Sequence, residues 1–175
     1  MKRAGTAVLV AGMAVAGLAG CESGQTTSQG ATTTAAPALW NPCAEIPDEV
    51  LRAAGVDPGT EESGVAGVPQ SGWEICGWSG PQYSLTVYTT AKTVEYFEQR
   101  PGNINFANVT IAGRAGRQFK VQGDSRNLIC DVVFSTGQGV VQLGVVNSAI
   151  IDGPLPDPCE NLQTAGAVMV PTFPK

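Results

Sequence analysis

Residues 128–146 read LICDVVFSTGQGVVQLGVV. Two runs rich in Val, Ile and Phe stand either side of Thr136-Gly137-Gln138-Gly139, and a short glycine-containing turn between such runs is a strong hairpin signal. A hairpin means antiparallel pairing, and the neighbouring segments extend it. Upstream, "NVTIAG" (108–113) and "RQFKVQ" (117–122) read as two strands around Gly113 and Gly116. In the second, Phe119 and Val121 share one face while Gln118, Lys120 and Gln122 share the other. Further upstream, "WEICGW" (73–78) and "YSLTVYTT" (83–90) flank a turn at Gly80-Pro81. Tyr83, Leu85 and Val87 alternate with Ser84, Thr86 and Tyr88, the pattern of a half-buried strand.

Helices punctuate these strands. In "IPDEVLRAAG" (46–55), Pro47, Asp48 and Glu49 mark a first turn, Arg52 lies near the end and Gly55 is a C-cap candidate. Ile46, Val50 and Leu51 give it one apolar face. "KTVEYFEQR" (92–100) is a short helix with Val94 and Phe97 inward, stopped by Pro101-Gly102. Cys159, Leu162, Ala165 and Met169 make a helical stripe that belongs to a core rather than to a cofactor. Residues 56–72 are loop by composition. The order is helix, two strands, helix, four strands, helix. Hairpin-length connections favour an antiparallel sheet with the helices packed on one face, an α+β fold of two layers.

Four cysteines, Cys43, Cys76, Cys130 and Cys159, fall within this pattern. Their wide spacing lacks any C-x₂-C pair and the chain has no histidine, so zinc is disfavoured and two disulfides are expected. Four cysteines allow three connectivities, and spacing alone does not choose among them. Asn41-Pro42-Cys43 and Asp157-Pro158-Cys159 share one design: an N-cap residue, Pro at the first helical position, then Cys. Asp157 and Glu160 also have capping-box spacing. Cys76 and Cys130 lie in strand-like runs. Each helix start is therefore expected to bond to a strand, and nearest-neighbour pairing gives Cys43–Cys76 and Cys130–Cys159.

The N-terminus follows different rules. Lys2 and Arg3 precede an uncharged stretch, residues 4–20, rich in Ala and Gly, which reads as the apolar region of a secretion signal spanning residues 1–20. It ends in Leu18-Ala19-Gly20-Cys21, which resembles the bacterial lipobox. By that resemblance Cys21 is acylated, with chains such as palmitate, and becomes the mature N-terminus, holding the protein on the outer side of the cell membrane. Each buried CH₂ contributes about 0.8 kcal/mol, and two chains hold where one does not. Residues 21–39 continue as a Thr-, Ser- and Gly-rich tether with almost no large apolar side chain. As a flexible coil its 18 residues after Cys21 span roughly 20–25 Å. Residues 40–175 remain for a single folded domain.

Chemistry is constrained mainly by what is missing. The absence of histidine excludes Ser-His-Asp and Cys-His hydrolysis and His-ligated metals. No S-x-x-K, P-loop or dinucleotide fingerprint occurs, so no cofactor and no catalytic residue is assigned. Carboxylates alone could hydrolyse a glycan, with Glu45, Asp48, Glu49, Glu74, Asp131 and Asp152 as candidates. Asp48 and Glu49 are better read as helix N-terminal charges. Asp131 stands inside an apolar strand, where the solvent face of a one-sided sheet is expected. Asn108-Val109-Thr110 fits a glycosylation sequon but reads as strand. Among the tryptophans, Trp78 shares a strand face with Cys76 and belongs in the core. Trp73 falls on the opposite face and is the ligand-binding candidate, with Trp40 also able to stack on a sugar or lipid. The formal net charge of −5, more negative once Lys2 and Arg3 are removed, disfavours nucleic acid. Arg114, Arg117, Lys120 and Arg126 cluster in sequence and are expected at solvated positions.

Taken together, the lipobox, the tether, "NPC" opening a helix, "CGW" on a strand, a later strand cysteine and "DPC" opening the last helix resemble a known family. It is that of actinobacterial, mycobacterial-type cell-envelope lipoproteins grouped only as a domain of unknown function. The resemblance covers essentially residues 40–170 and implies two disulfides and an envelope location. It carries no activity. The expectation is a non-catalytic binding or sensing module that meets an envelope protein, glycan or lipid. A carboxylate-only envelope hydrolase and a passive structural lipoprotein are the competing classes.

Overall fold

The hairpin at residues 128–146 lies at the middle of the sheet. In the computed structural model, which describes residues 38–149 and 155–175, β6 (Ile129–Thr136) pairs with β7 (Gly139–Asn147) from Thr136↔Gly139 back to Ile129↔Val146. The turn is Gly137-Gln138. Gly139 has φ 138°, and a Cβ on it would collide with the carbonyl of Thr90, so glycine is required there. The signal, Cys21, the tether up to residue 37, and Asp152 lie outside the described residues.

Five further strands complete the sheet. They are β1 (Glu62–Ser63), β2 (Trp73–Ser79), β3 (Tyr83–Thr90), β4 (Asn103–Ile111) and β5 (Arg114–Val121). Their order is β1-β2-β3-β7-β6-β5-β4, antiparallel at every pairing. The antiparallel α+β expectation therefore holds. β1 was hidden in a loop-like composition because two residues cannot show alternation. β4 begins at Asn103, before "NVTIAG". A register shift between Ile104 and Ala107, with Asn105 at φ 55°, breaks its period.

The first helix is two pieces, α1 (Pro42–Glu45) and α2 (Asp48–Ala53). Pro47 forces the break, because the residue before proline is pushed out of the helical region, and Ile46 sits at φ −89°, ψ 117°. The caps form as expected: Asn41 accepts from the Cys43 N–H at 3.0 Å and Asp157 from the Cys159 N–H at 2.9 Å. Among the described residues, no reciprocal bond from the Glu160 carboxylate closes a capping box.

Three helices, α1, α2 and α4 (Pro158–Met169), cover one face of the sheet. Trp78, Leu85, Val87, Val132, Phe134, Val141, Leu143 and Val145 point into that layer and meet Leu162, Ala165 and Met169 of α4. The disulfides Cys43–Cys76 and Cys130–Cys159 fasten α1 and α4 to β2 and β6, with Cα–Cα distances of 5.4 and 5.2 Å. The Tyr83 hydroxyl donates to the Ala54 carbonyl at 2.8 Å, tying the end of α2 to β3.

The fourth helix, α3 (Val94–Glu98), lies on the other face. Because β7 occupies the place beside β3, the chain leaving β3 must cross to the far edge before β4 can begin. α3 is that crossover, and its Phe97 packs with Phe119, Val133 and Val140. It covers part of this face and leaves the rest concave.

Candidate functional site

The concavity has a volume of about 570 Å³. Ile75 of β2, Thr86 and Tyr88 of β3, Gln142 and Gly144 of β7 and Asp131 of β6 form its floor. Tyr96 and Phe97 of α3, the Arg100–Asn103 connection, and Phe119 of β5 raise one side, and Trp73 stands at the start of β2. Three of its lining residues are exposed large apolar side chains: Val65 (54 %), Tyr96 (39 %) and Val146 (44 %). They are half of the six exposed large apolar side chains among the described residues, and such a concentration at one hollow is a usual mark of a binding surface.

Asp131 is on the face expected for it but is not solvated: it is only 6 % exposed. The register explains this. Asp131 faces Phe119 on one side and Gly144 on the other, and the aromatic group under α3 closes over the strand. Gly144 makes the space, since a Cβ there would fall 2.5 Å from Asp131 Oδ1. The Gln142 side-chain amide donates to that oxygen at 2.7 Å. Burial pushes the carboxyl up to about 6, against the downward pull of the Gln142 bond. The Tyr88 phenol is also pushed up, first by burial and then by the charge of Asp131.

Trp73, the ligand-binding candidate, does line this hollow. It is half-buried and meets Tyr88 and Phe97 edge-on, with ring centroids 6.5 and 6.1 Å away. The aromatic run continues through Phe97–Phe119 at 6.3 Å and Phe119–Phe106 at 5.4 Å. Trp78 is buried beside the Cys43–Cys76 disulfide and Trp40 packs on Phe173, so neither joins the site.

Of the candidate carboxylates, Asp131 alone lines the concavity among the described residues. Asp48 forms an exposed pair with Arg52 at 2.8 Å on α2, worth no more than about 0.5 kcal/mol. The basic residues do not gather into one face. Arg117 pairs with Glu98 at 2.6 Å, Lys120 with Asp157 at 3.3 Å, Arg114 bonds the Ser135 carbonyl and Arg126 the Ala149 carbonyl. Glu61 lies close to the sulfurs of Cys43 and Cys76, but these are joined to each other and offer no thiolate.

Tyr88, Gln142, Gly144, Phe119 and Arg100 were not singled out as site residues in the sequence, although alternation had set Tyr88 and Phe119 on their strand faces. One signal was present. Counting back from the 137–138 turn places Asp131 opposite Gly144 and Gln142 opposite Val133, which puts both polar interruptions on one face.

Fold and site define an antiparallel α+β domain, clamped by two disulfides, whose sheet carries three helices on one face and, on the other, α3 beside an aromatic-walled hollow. The chain belongs to the family described as Protein of unknown function (DUF3558), which matches residues 16–172. No curated protein and no solved structure matches it.

Proposed function

We propose that the chain is a lipid-anchored cell-envelope protein of the actinobacterial, mycobacterial type, and that its domain is a non-catalytic module binding a ligand in the concavity over Asp131. The hollow carries the second half of this reading. It is ligand-sized, aromatic-walled, and has one buried carboxylate at its floor. A hydrolase of two carboxylates needs its pair roughly 5–9.5 Å apart. Asp131 is the single acid lining the hollow among the described residues, so binding is favoured. The lipobox-like stretch ending at Cys21 supports the anchor. The tether of residues 22–39 supports presentation of the domain away from the membrane.

Two measurements on protein purified from its own envelope test it. Intact mass should show an acyl addition at Cys21 that Cys21→Ala abolishes; an unmodified, unprocessed chain would overturn the anchor. Native mass spectrometry should show a retained small molecule, lost in a Trp73→Ala variant. Empty spectra combined with empty pull-downs from envelope extract would sink the binding module.

A further inference from the structure

We propose that the concavity takes an organic cation: an ammonium group on an apolar body, its charge set at Asp131 and its body against Trp73, Tyr88 and Phe97. This rests on the binding reading above and names the class of ligand. A buried carboxylate is costly unless an opposite charge or full hydrogen bonding compensates it. Among the described residues Asp131 receives one side-chain bond, from the neutral amide of Gln142. Among the described residues the ion pairs are Arg52–Asp48, Arg117–Glu98 and Lys120–Asp157, and none includes Asp131. The room at Gly144 holds the carboxylate against the floor of an open hollow, where an incoming donor reaches it.

The walls suit the same ligand. Aromatic faces attract cations through their quadrupole, most strongly when water is excluded. This chain already uses that contact: Lys92 lies 5.1 Å from the Tyr96 ring centre and Arg117 lies 5.4 Å from that of Phe106. The other titratable groups lining the hollow are Tyr88, Tyr96 and Arg100. Tyr88 is pushed toward its neutral form and Arg100 is exposed, so Asp131 is the anionic anchor. Its carboxyl, at about 6, gives the interaction a pH signature: affinity for an ammonium ion falls as the pH drops through 6.

The test uses the whole mature chain and three probes with one apolar body: phenylbutylammonium, phenylbutanol and phenylbutyrate. Binding is followed by NMR at the Gln142 side-chain amide and the Trp73 indole, at about pH 7.5 and again at about pH 5. The ammonium should bind at least about tenfold tighter than the alcohol, the carboxylate should bind worst, and the preference should shrink at the lower pH. Asp131→Asn should erase it. Gly144→Ala, whose methyl displaces Asp131 Oδ1, should do the same if the Asn variant fails to fold. Arg100→Ala should leave the ammonium's affinity equal or stronger. The cation class is overturned if the alcohol or carboxylate binds as well, if Asp131→Asn keeps the preference, if Arg100→Ala weakens the ammonium, or if no probe moves these signals. Alcohol bound at Trp73 without ammonium preference would refute the class and leave the binding reading standing.

Discussion

The two faces of the sheet are built from the same strands and differ in every second residue. On the face under α1, α2 and α4, β3 presents Leu85 and Val87, β7 presents Val141, Leu143 and Val145, and β6 presents Val132 and Phe134, all fully buried. On the other face the same three strands present Thr86 and Tyr88, Gln142 and Gly144, and Asp131. One face is apolar, stapled twice and continuous with a twelve-residue helix. The other has the five-residue α3, an aromatic group at one end and a carboxylate held out of water. The contrast separates two tasks that the period of a strand makes independent. Stability concentrates in the closed layer, and the open one tolerates a group that lowers stability.

The sign of that effect follows from the carboxyl of Asp131. Its ordinary value is 3.8 and folding raises it to about 6. Between those values the folded chain binds more protons than the unfolded chain, so stability falls as pH rises through the interval. Above it, the cost of keeping the charge buried is about 3 kcal/mol.

The largest expected loss is on the closed face. Phe134→Ala should cost about 4 kcal/mol in denaturant unfolding, because the ring is fully buried beneath Phe173. A cost under about 1 kcal/mol would mean that stability is not concentrated there. Next, replacing Cys130 and Cys159 together by Ser should cost about 3 kcal/mol, since that bond closes a separation of 29 residues. Thermal unfolding checks it. The effect reverses sign on the open face. Asp131→Asn should stabilise by about 2 kcal/mol near neutral pH, and the gain should vanish near pH 4. A pH-independent loss would show that Asp131 is structural. Smallest is the rim: Tyr96→Ser should change stability by no more than about 0.5 kcal/mol, because the side chain is 39 % exposed.

Sequence reading reached the closed face better than the open one, for a physical reason. The 128–146 hairpin, the Pro-Cys helix starts and the stripe Cys159, Leu162, Ala165, Met169 are local patterns, each readable within a turn or a strand. The side on which α3 packs is not local. Val94 and Phe97 announce that the helix buries a face, but the insertion of β7 beside β3 decides which layer receives it. Asp131 illustrates the same limit. Alternation placed it correctly, away from α4, yet it is buried because register sets Phe119 of β5 on one side of it and Gln142 of β7 bonds it on the other. Trp73 was legible because its face is fixed by Cys76 three residues away; Gln142 and Tyr88 became partners only once three strands were in register.

The two disulfides join cysteines that are neighbours in the chain, Cys43 with Cys76 and Cys130 with Cys159, so their loops neither overlap nor nest. A polypeptide that meets an oxidant N-terminus first would close the first bond before the second pair emerges. Random pairing among four thiols gives this arrangement in one of three ways; sequential emergence gives it by order of arrival. The connectivity therefore asks nothing of a disulfide isomerase. A chain released N-terminus first into an oxidant without one should give the native pairing as its main product, above the one-in-three share of random pairing, with the insertion of β7 between β3 and β6 left as the step that waits for the C-terminal half.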